Sequence, residues 1–151
     1  MKIEDVIKSK AMSLSTKTVI NLSYTSRIIE EAIATKFKSY DLTMQQYNVL
    51  RILRGQKGNP ANLSTIQERM VDRNSNTTRL VDKLIKKGWV KRNICKQNRR
   101  KVEIFITPKG LDLLQELDPV TEQNNNDILT NLTASEIEQL NTLLDKLRTH
   151  E

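Results

Sequence analysis

Apolar residues recur at helical intervals over residues 12–39, with Val19, Ile20, Leu22, Ile28, Ile29, Ile33 and Phe37 uninterrupted by Pro or Gly. This predicts a long first helix. Thr43-Met44-Gln45-Gln46 then forms a T-x-x-Q capping box, in which the hydroxyl and the amide each satisfy an orphan backbone N–H. A second helix follows, with Tyr47, Leu50 and Leu53 inward, and stops near Gly55 and Gly58. Asn59-Pro60-Ala61-Asn62 reads as a loop. Ser64-Thr65-Ile66-Gln67 has the form of another capping box, opening a short third helix to about Val71. Asp72-Arg73-Asn74 is a polar turn. A fourth helix is expected from about Ser75 to Lys87, with Thr77, Leu80, Val81 and Leu84 on one face and Gly88 as its left-handed stop.

After Gly88 the period changes from helical to alternating. Residues 89–95 and 102–107 both read as strands, joined by the polar tip Lys96-Gln97-Asn98-Arg99-Arg100-Lys101. Thr107-Pro108-Lys109-Gly110 opens a fifth helix striped by Leu111, Leu114 and Leu117, with Pro108 tolerated in the first turn. Asp118-Pro119 is expected to bend or interrupt it, and Glu122–Asp127 to lie exposed. A third capping box, Thr133-Ala134-Ser135-Glu136, starts a last helix carrying Ile137, Leu140, Leu144 and Leu147. The order helix, short helix, helix, hairpin predicts a mainly α protein with a small β-hairpin wing: a winged helix-turn-helix core over residues 40–110. Helical regions flank it at 1–39 and 111–151.

Composition supports this reading. Gly 4 and Pro 3 are too few for an all-β sandwich, which needs frequent turns. No apolar run approaches the ~20 residues that span a bilayer, and no secretory leader is evident at Met1-Lys2-Ile3-Glu4-Asp5. The single Cys95 cannot close an internal disulfide, so a reducing cytoplasm is the expected compartment. Charge changes the picture most. The net +7 is unevenly placed: residues 69–101 carry 12 Lys/Arg against 2 Asp/Glu, whereas residues 111–151 carry 2 against 9. A basic middle of this density attracts polyanions and releases counterions on meeting a phosphate backbone.

In a helix-turn-helix the second helix enters the major groove, and short polar side chains at its start can approach base edges. Asn74, Ser75, Asn76 and Thr78 suit that need, and Arg79 can reach a guanine edge or a phosphate. Lys83 and Lys86, further along, suit backbone phosphates, which position the protein without reading sequence. Ser and Asn near a helix start are often only caps. Here the short capped helix before, the basic face and the basic hairpin after favour double-stranded DNA. Arg99, Arg100 and Lys101 at the hairpin tip suit the adjacent minor groove, whose negative potential draws in arginine.

From Ser39 to Leu114 the chain resembles the multiple antibiotic resistance regulator (MarR) family of bacterial transcription factors. The residues that carry the likeness are Leu42–Leu50, the run Thr78-Arg79-Leu80-Val81-Asp82-Lys83-Leu84-Ile85-Lys86-Lys87-Gly88-Trp89-Val90-Lys91-Arg92, and Asn98–Val102 running into Ile106–Gly110. The second run is the most specific, since it joins the recognition helix to the wing strand. The resemblance implies a homodimer held by the terminal helices. It also implies repression, or less often activation, at a palindromic operator, commonly with release by a small, often aromatic, effector. One departure stands out: Asn98 occupies the place where the family usually has an acidic residue before the wing arginine. A two-fold dimer would set the recognition helices one DNA turn, ~34–36 Å, apart.

Enzymatic readings find little support. The only histidine, His150, is the penultimate residue, Cys95 has no histidine to act as its base, and four dispersed glycines make no phosphate-binding loop. No Cys/His cluster has metal-ligand spacing, so no cofactor is expected. Three alternatives remain: an architectural protein binding nucleic acid without sequence preference, a redox-sensing regulator acting through Cys95, and a protein-interaction module. The concentration of charge argues against the last.

Overall fold

The computed structural model describes residues 1–98 and 100–149. A short turn of helix, α1 (Ile3–Val6), precedes the long α2 (Leu14–Lys38), which Ser13 caps by accepting the Thr16 N–H at 3.3 Å. α3 (Met44–Gly55) starts at the Thr43–Gln46 capping box: Gln46 N–H donates to the Thr43 hydroxyl at 3.1 Å, and Thr43 N–H to Gln46 Oε1 at 3.2 Å.

α4 (Leu63–Arg69) departs from expectation at its start. The cap is Asn62, whose Oδ1 accepts the Thr65 N–H at 2.8 Å, while Ser64 lies inside the helix and donates to the same oxygen at 2.7 Å. Asn62 holds the extended backbone that a cap requires, and Gln67 is drawn away to the turn that follows. α5 (Thr77–Lys86) likewise begins at Thr77 rather than near Ser75, with Asn76 as its cap. It ends in a Schellman motif: Gly88, at φ 77°, donates to the Ile85 carbonyl at 3.0 Å and Trp89 to that of Leu84 at 3.1 Å.

β1 (Val90–Ile94) and β2 (Val102–Ile106) pair antiparallel, from Val90 opposite Ile106 to Ile94 opposite Val102. Ala61, expected in a loop, adds a bridge to Ile104 through two backbone bonds of 2.9 and 2.8 Å. A single bridging residue leaves no alternation to read. Thr107 caps α6 (Pro108–Ile128) and donates its hydroxyl to the Gly88 carbonyl at 2.7 Å. Recognition helix, wing and α6 therefore meet at one knot, where Gly110 is required: a Cβ there would run into the Trp89 carbonyl and stand 2.8 Å from Ile106 Cγ1.

α6 is not interrupted at Pro119. Leu114 and Leu117 before the proline and Asn124 after it are all buried, so packing outweighs the one missing backbone bond. Asn124 corrects the expectation that Glu122–Asp127 is exposed throughout. α7 (Ala134–Arg148) starts at the expected Thr133–Glu136 box but buries no residue. The core lies among α3, α5, α6 and the sheet, where Val49, Leu50, Leu84, Ile104, Leu114 and Leu117 are fully enclosed. Each such aliphatic side chain stabilises the fold by about 1.5–3 kcal/mol. Among the described residues, no helix is long and apolar enough to cross a membrane.

Candidate nucleic-acid interface

The segment from Met70 to Asn76 aims α5, and it is held at several points. Met70 is buried in the core. Val71 N–H donates to Asn48 Oδ1 on α3 at 2.9 Å. Asp72 closes the turn, its carboxylate accepting from Asn74 N–H at 2.9 Å and its carbonyl from Ser75 N–H at 3.2 Å. Gln67 bridges the turn from α4, donating to the Arg73 carbonyl at 3.0 Å and accepting from the Thr77 hydroxyl.

The candidate contact residues divide by environment. Asn74, Thr78, Arg79, Lys83 and Lys86 are exposed. Asn76 is exposed too, but its Oδ1 accepts the Arg79 N–H at 3.1 Å, so the oxygen that would receive an adenine amino group is committed to the cap. Ser75 is only half exposed, and its hydroxyl oxygen is buried without a hydrogen-bond partner. That places Ser75 within the turn rather than on the outward face. Arg100 and Lys101 are exposed at the hairpin tip, whereas Arg99 lies outside the described residues.

Asn98 has a structural task at that tip. Its Oδ1 accepts the Arg100 N–H at 3.1 Å and its carbonyl accepts from Lys101 at 2.9 Å, forming the turn directly. The amide at this position thus orders the tip through the backbone. Cys95 is half-buried at the end of β1, and its N–H donates to the Lys101 carbonyl at 2.9 Å.

Some of the basic charge is engaged internally. Lys87 bonds the Asp41 carbonyl and reaches Gln46 Oε1 at 3.3 Å and the Asp41 carboxylate at 3.4 Å. Arg92 on β1 pairs with Asp82 on α5 at 3.2 Å, linking wing to recognition helix. Among the described residues, Arg79, Lys83, Lys86, Arg100 and Lys101 enter no ion pair. These exposed, uncompensated cations are what a polyanion would neutralise. Exposed Arg73, in the turn itself, belongs with them, although the sequence marks it only as part of a polar turn.

Behind the turn lies a cavity of about 640 Å³, walled by α2, α3, α6 and residues Met70–Asp72. Ile33, Phe37 and Tyr47 supply apolar and aromatic surface, and Phe37 and Tyr47 pack with centroids 4.6 Å apart. Arg51 stands 5.9 Å over the Tyr47 ring. Arg54 closes one side through a two-pronged pair with Asp118, at 2.9 and 3.1 Å. That hydrogen bonding raises the guanidinium's proton affinity further above its ordinary range, against the opposing effect of burial. These lining residues gave no signal in the sequence, because apolar side chains around a cavity have the same pattern as core.

Comparison with known proteins agrees with this geometry. The MarR family model matches residues 42–102. The HTH-type transcriptional regulator PecS of Dickeya dadantii (strain 3937) is 30% identical over 131 residues, covering 85% of this chain and 78% of PecS. The chain belongs to the MarR family. A MarR transcription factor from Planctomyces limnophilus is 31% identical, with a TM-score of 0.71 over 90% of this chain and 98% of that one. Bordetella bronchiseptica BpsR, whose DNA binding is regulated by 6-hydroxynicotinic acid, shares the fold at 20% identity, with a TM-score of 0.81 over 94% of this chain and 100% of that one. The protein is accordingly a MarR-family transcriptional regulator with a winged-helix DNA-binding fold. Its MarR relatives are regulators rather than enzymes.

Proposed function

We propose that this MarR-family protein is a repressor that binds a palindromic operator as a homodimer and is released by a small aromatic effector. The observation that carries the reading is the outward face of α5. It presents Thr78, Arg79, Lys83 and Lys86 exposed, and its three cations are unpaired among the described residues. Asn74, Thr78 and Arg79 read base edges, with Asn76 serving chiefly as the helix cap. Lys83 and Lys86 hold phosphates, and the wing residues Arg99, Arg100 and Lys101 follow the minor groove.

The dimer rests on α7. A 15-residue helix with no buried residue is marginal in water, yet this one carries Leu143 and Leu147 at 63% and 59% exposure. On α2, Leu14 and Val19 are 81% and 65% exposed. A second copy of the chain, bringing the same faces, covers both by a two-fold operation. Residues 1–39 and 111–151 then form the dimerisation regions around the DNA-binding unit 40–110. The cavity beside the turn suits an effector because it combines aromatic and apolar walls with the cation of Arg51.

Fluorescence anisotropy on duplex from upstream of the protein's own gene, against scrambled duplex across a salt series, tests the reading. A sequence-specific regulator should prefer one palindrome by roughly 10³-fold or more and saturate at two chains per site. Equal, steeply salt-dependent binding to every palindrome offered would instead identify a non-specific nucleic-acid binder. No binding at low salt would overturn the proposal.

A further inference from the structure

The stretch between α4 and α5 is extended at Met70 (φ −64°, ψ 136°), so the Val71 N–H has no partner in either helix. It is answered from a different element: Asn48 Oδ1, 23 residues earlier on α3, at 2.9 Å. The other bonds of this turn join it to itself or to α4, through Asp72 and Gln67. Among the described residues, the Asn48–Val71 bond is therefore the polar tether that sets the turn against α3, while buried Met70 supplies the apolar one. The Val71 side chain is 83% exposed and contributes little holding of its own.

We infer that Asn48 is a positioning residue for operator recognition, holding the entry to α5 at one distance from α3 through the Val71 N–H. This rests on the proposed reading of α5 as the base-contacting helix. Asn48, Met70, Val71 and Asp72 all stand in the wall of the 640 Å³ cavity. The tether thus lies where the cavity meets the recognition turn. Its oxygen is engaged by Val71, and its amide NH₂ has no protein partner among the described residues. Losing the tether lets the turn shift relative to α3 while the core that holds both helices stays closed.

The test compares Asn48→Ala, which removes the acceptor, with Asn48→Asp, which keeps it. Amide hydrogen exchange of residues 71–75 and anisotropy on own-gene upstream and scrambled duplex are read for each. One hydrogen bond of this kind corresponds to about a two- to tenfold change. Asn48→Ala should speed Val71 exchange by at least that factor and weaken operator binding by a similar one. Non-specific binding should be unchanged, and the melting temperature lowered by no more than about 2–4 °C, the worth of one such bond in a chain of this size. Asn48→Asp should restore slow exchange and most of the operator preference. Unchanged exchange in Asn48→Ala, or operator binding within experimental error of wild type despite faster exchange, overturns the inference. A fall in melting temperature with uniform loss on both duplexes would also overturn it, by showing a merely structural residue. If wild type itself fails to discriminate any palindrome offered from scrambled duplex, the functional reading fails, and exchange at Val71 alone decides whether Asn48 holds the turn.

Discussion

Asn76 stands where two roles compete, and its substitutions separate them. Its Oδ1 accepts the Arg79 N–H at 3.1 Å across the first turn of α5, and among the described residues no other side chain accepts that N–H. Asn76→Ala should therefore destabilise the protein by about 1 kcal/mol, within the 0.5–2 kcal/mol usual for a lost cap. For a chain of this size that lowers the melting temperature by about 2–4 °C. Asn76→Ser restores a neutral capping oxygen and should recover the stability. If capping is the residue's main task, Asn76→Ser should also bind operator within a few-fold of wild type, because the amide pair is not needed for base reading. Thermal unfolding by circular dichroism and anisotropy on the same samples give both numbers. A stable Asn76→Ser variant that has lost sequence preference would refute the argument and return Asn76 to the base-reading set. An Asn76→Ala variant as stable as wild type would refute the capping geometry itself.

The double variant Lys83→Ala/Lys86→Ala should bind every duplex more weakly, and for the proposed dimer the slope of log K against log salt should fall by about 4, roughly one for each of the two phosphates per chain no longer neutralised. Arg79→Ala should cut operator affinity by about 1–3 kcal/mol in anisotropy and relax sequence preference, with the dimer intact by light scattering. Gly110→Ala should cost about 1–3 kcal/mol in chemical denaturation, because the new methyl meets the Trp89 carbonyl, a backbone atom that cannot move aside alone. If the proposed dimer holds, wild type should scatter as a particle of twice 17.4 kDa and Leu143→Glu/Leu147→Glu as a monomer, since charge on that face has no partner to offset its burial. At the N-terminus, the bond from Lys17 at 2.6 Å holds the Glu4 carboxyl below the usual carboxylate range. A depressed carboxylate adds stability that is present above its unfolded value and lost as pH falls through its folded one. Docking of α1, followed by the Ile3 methyl resonances, should loosen on acidification, and Lys17→Met should weaken that pH dependence, leaving the smaller part due to the backbone hydrogen bond and Lys2.

Apart from α1, which no local pattern marked, the elements and most of their ends were legible in the order of residues alone. The capping boxes at Thr43 and Thr133, the left-handed stop at Gly88 and the strand patterns over 89–95 and 102–107 depend on interactions within a few residues, so they are written locally. The basic segment and its outward helical face were legible for the same reason: a helix fixes which side chains share a face. Other features needed the folded chain. Whether Pro119 breaks α6 depended on what Leu114, Leu117 and Asn124 pack against. Ser75 and Asn76 looked equivalent to Asn74 and Thr78 until the true start of α5 turned one inward and committed the other to a cap. The cavity and the Asn48 tether join residues tens of positions apart. No local pattern encodes such a meeting, because it exists only once α2, α3 and α6 have closed around the same space.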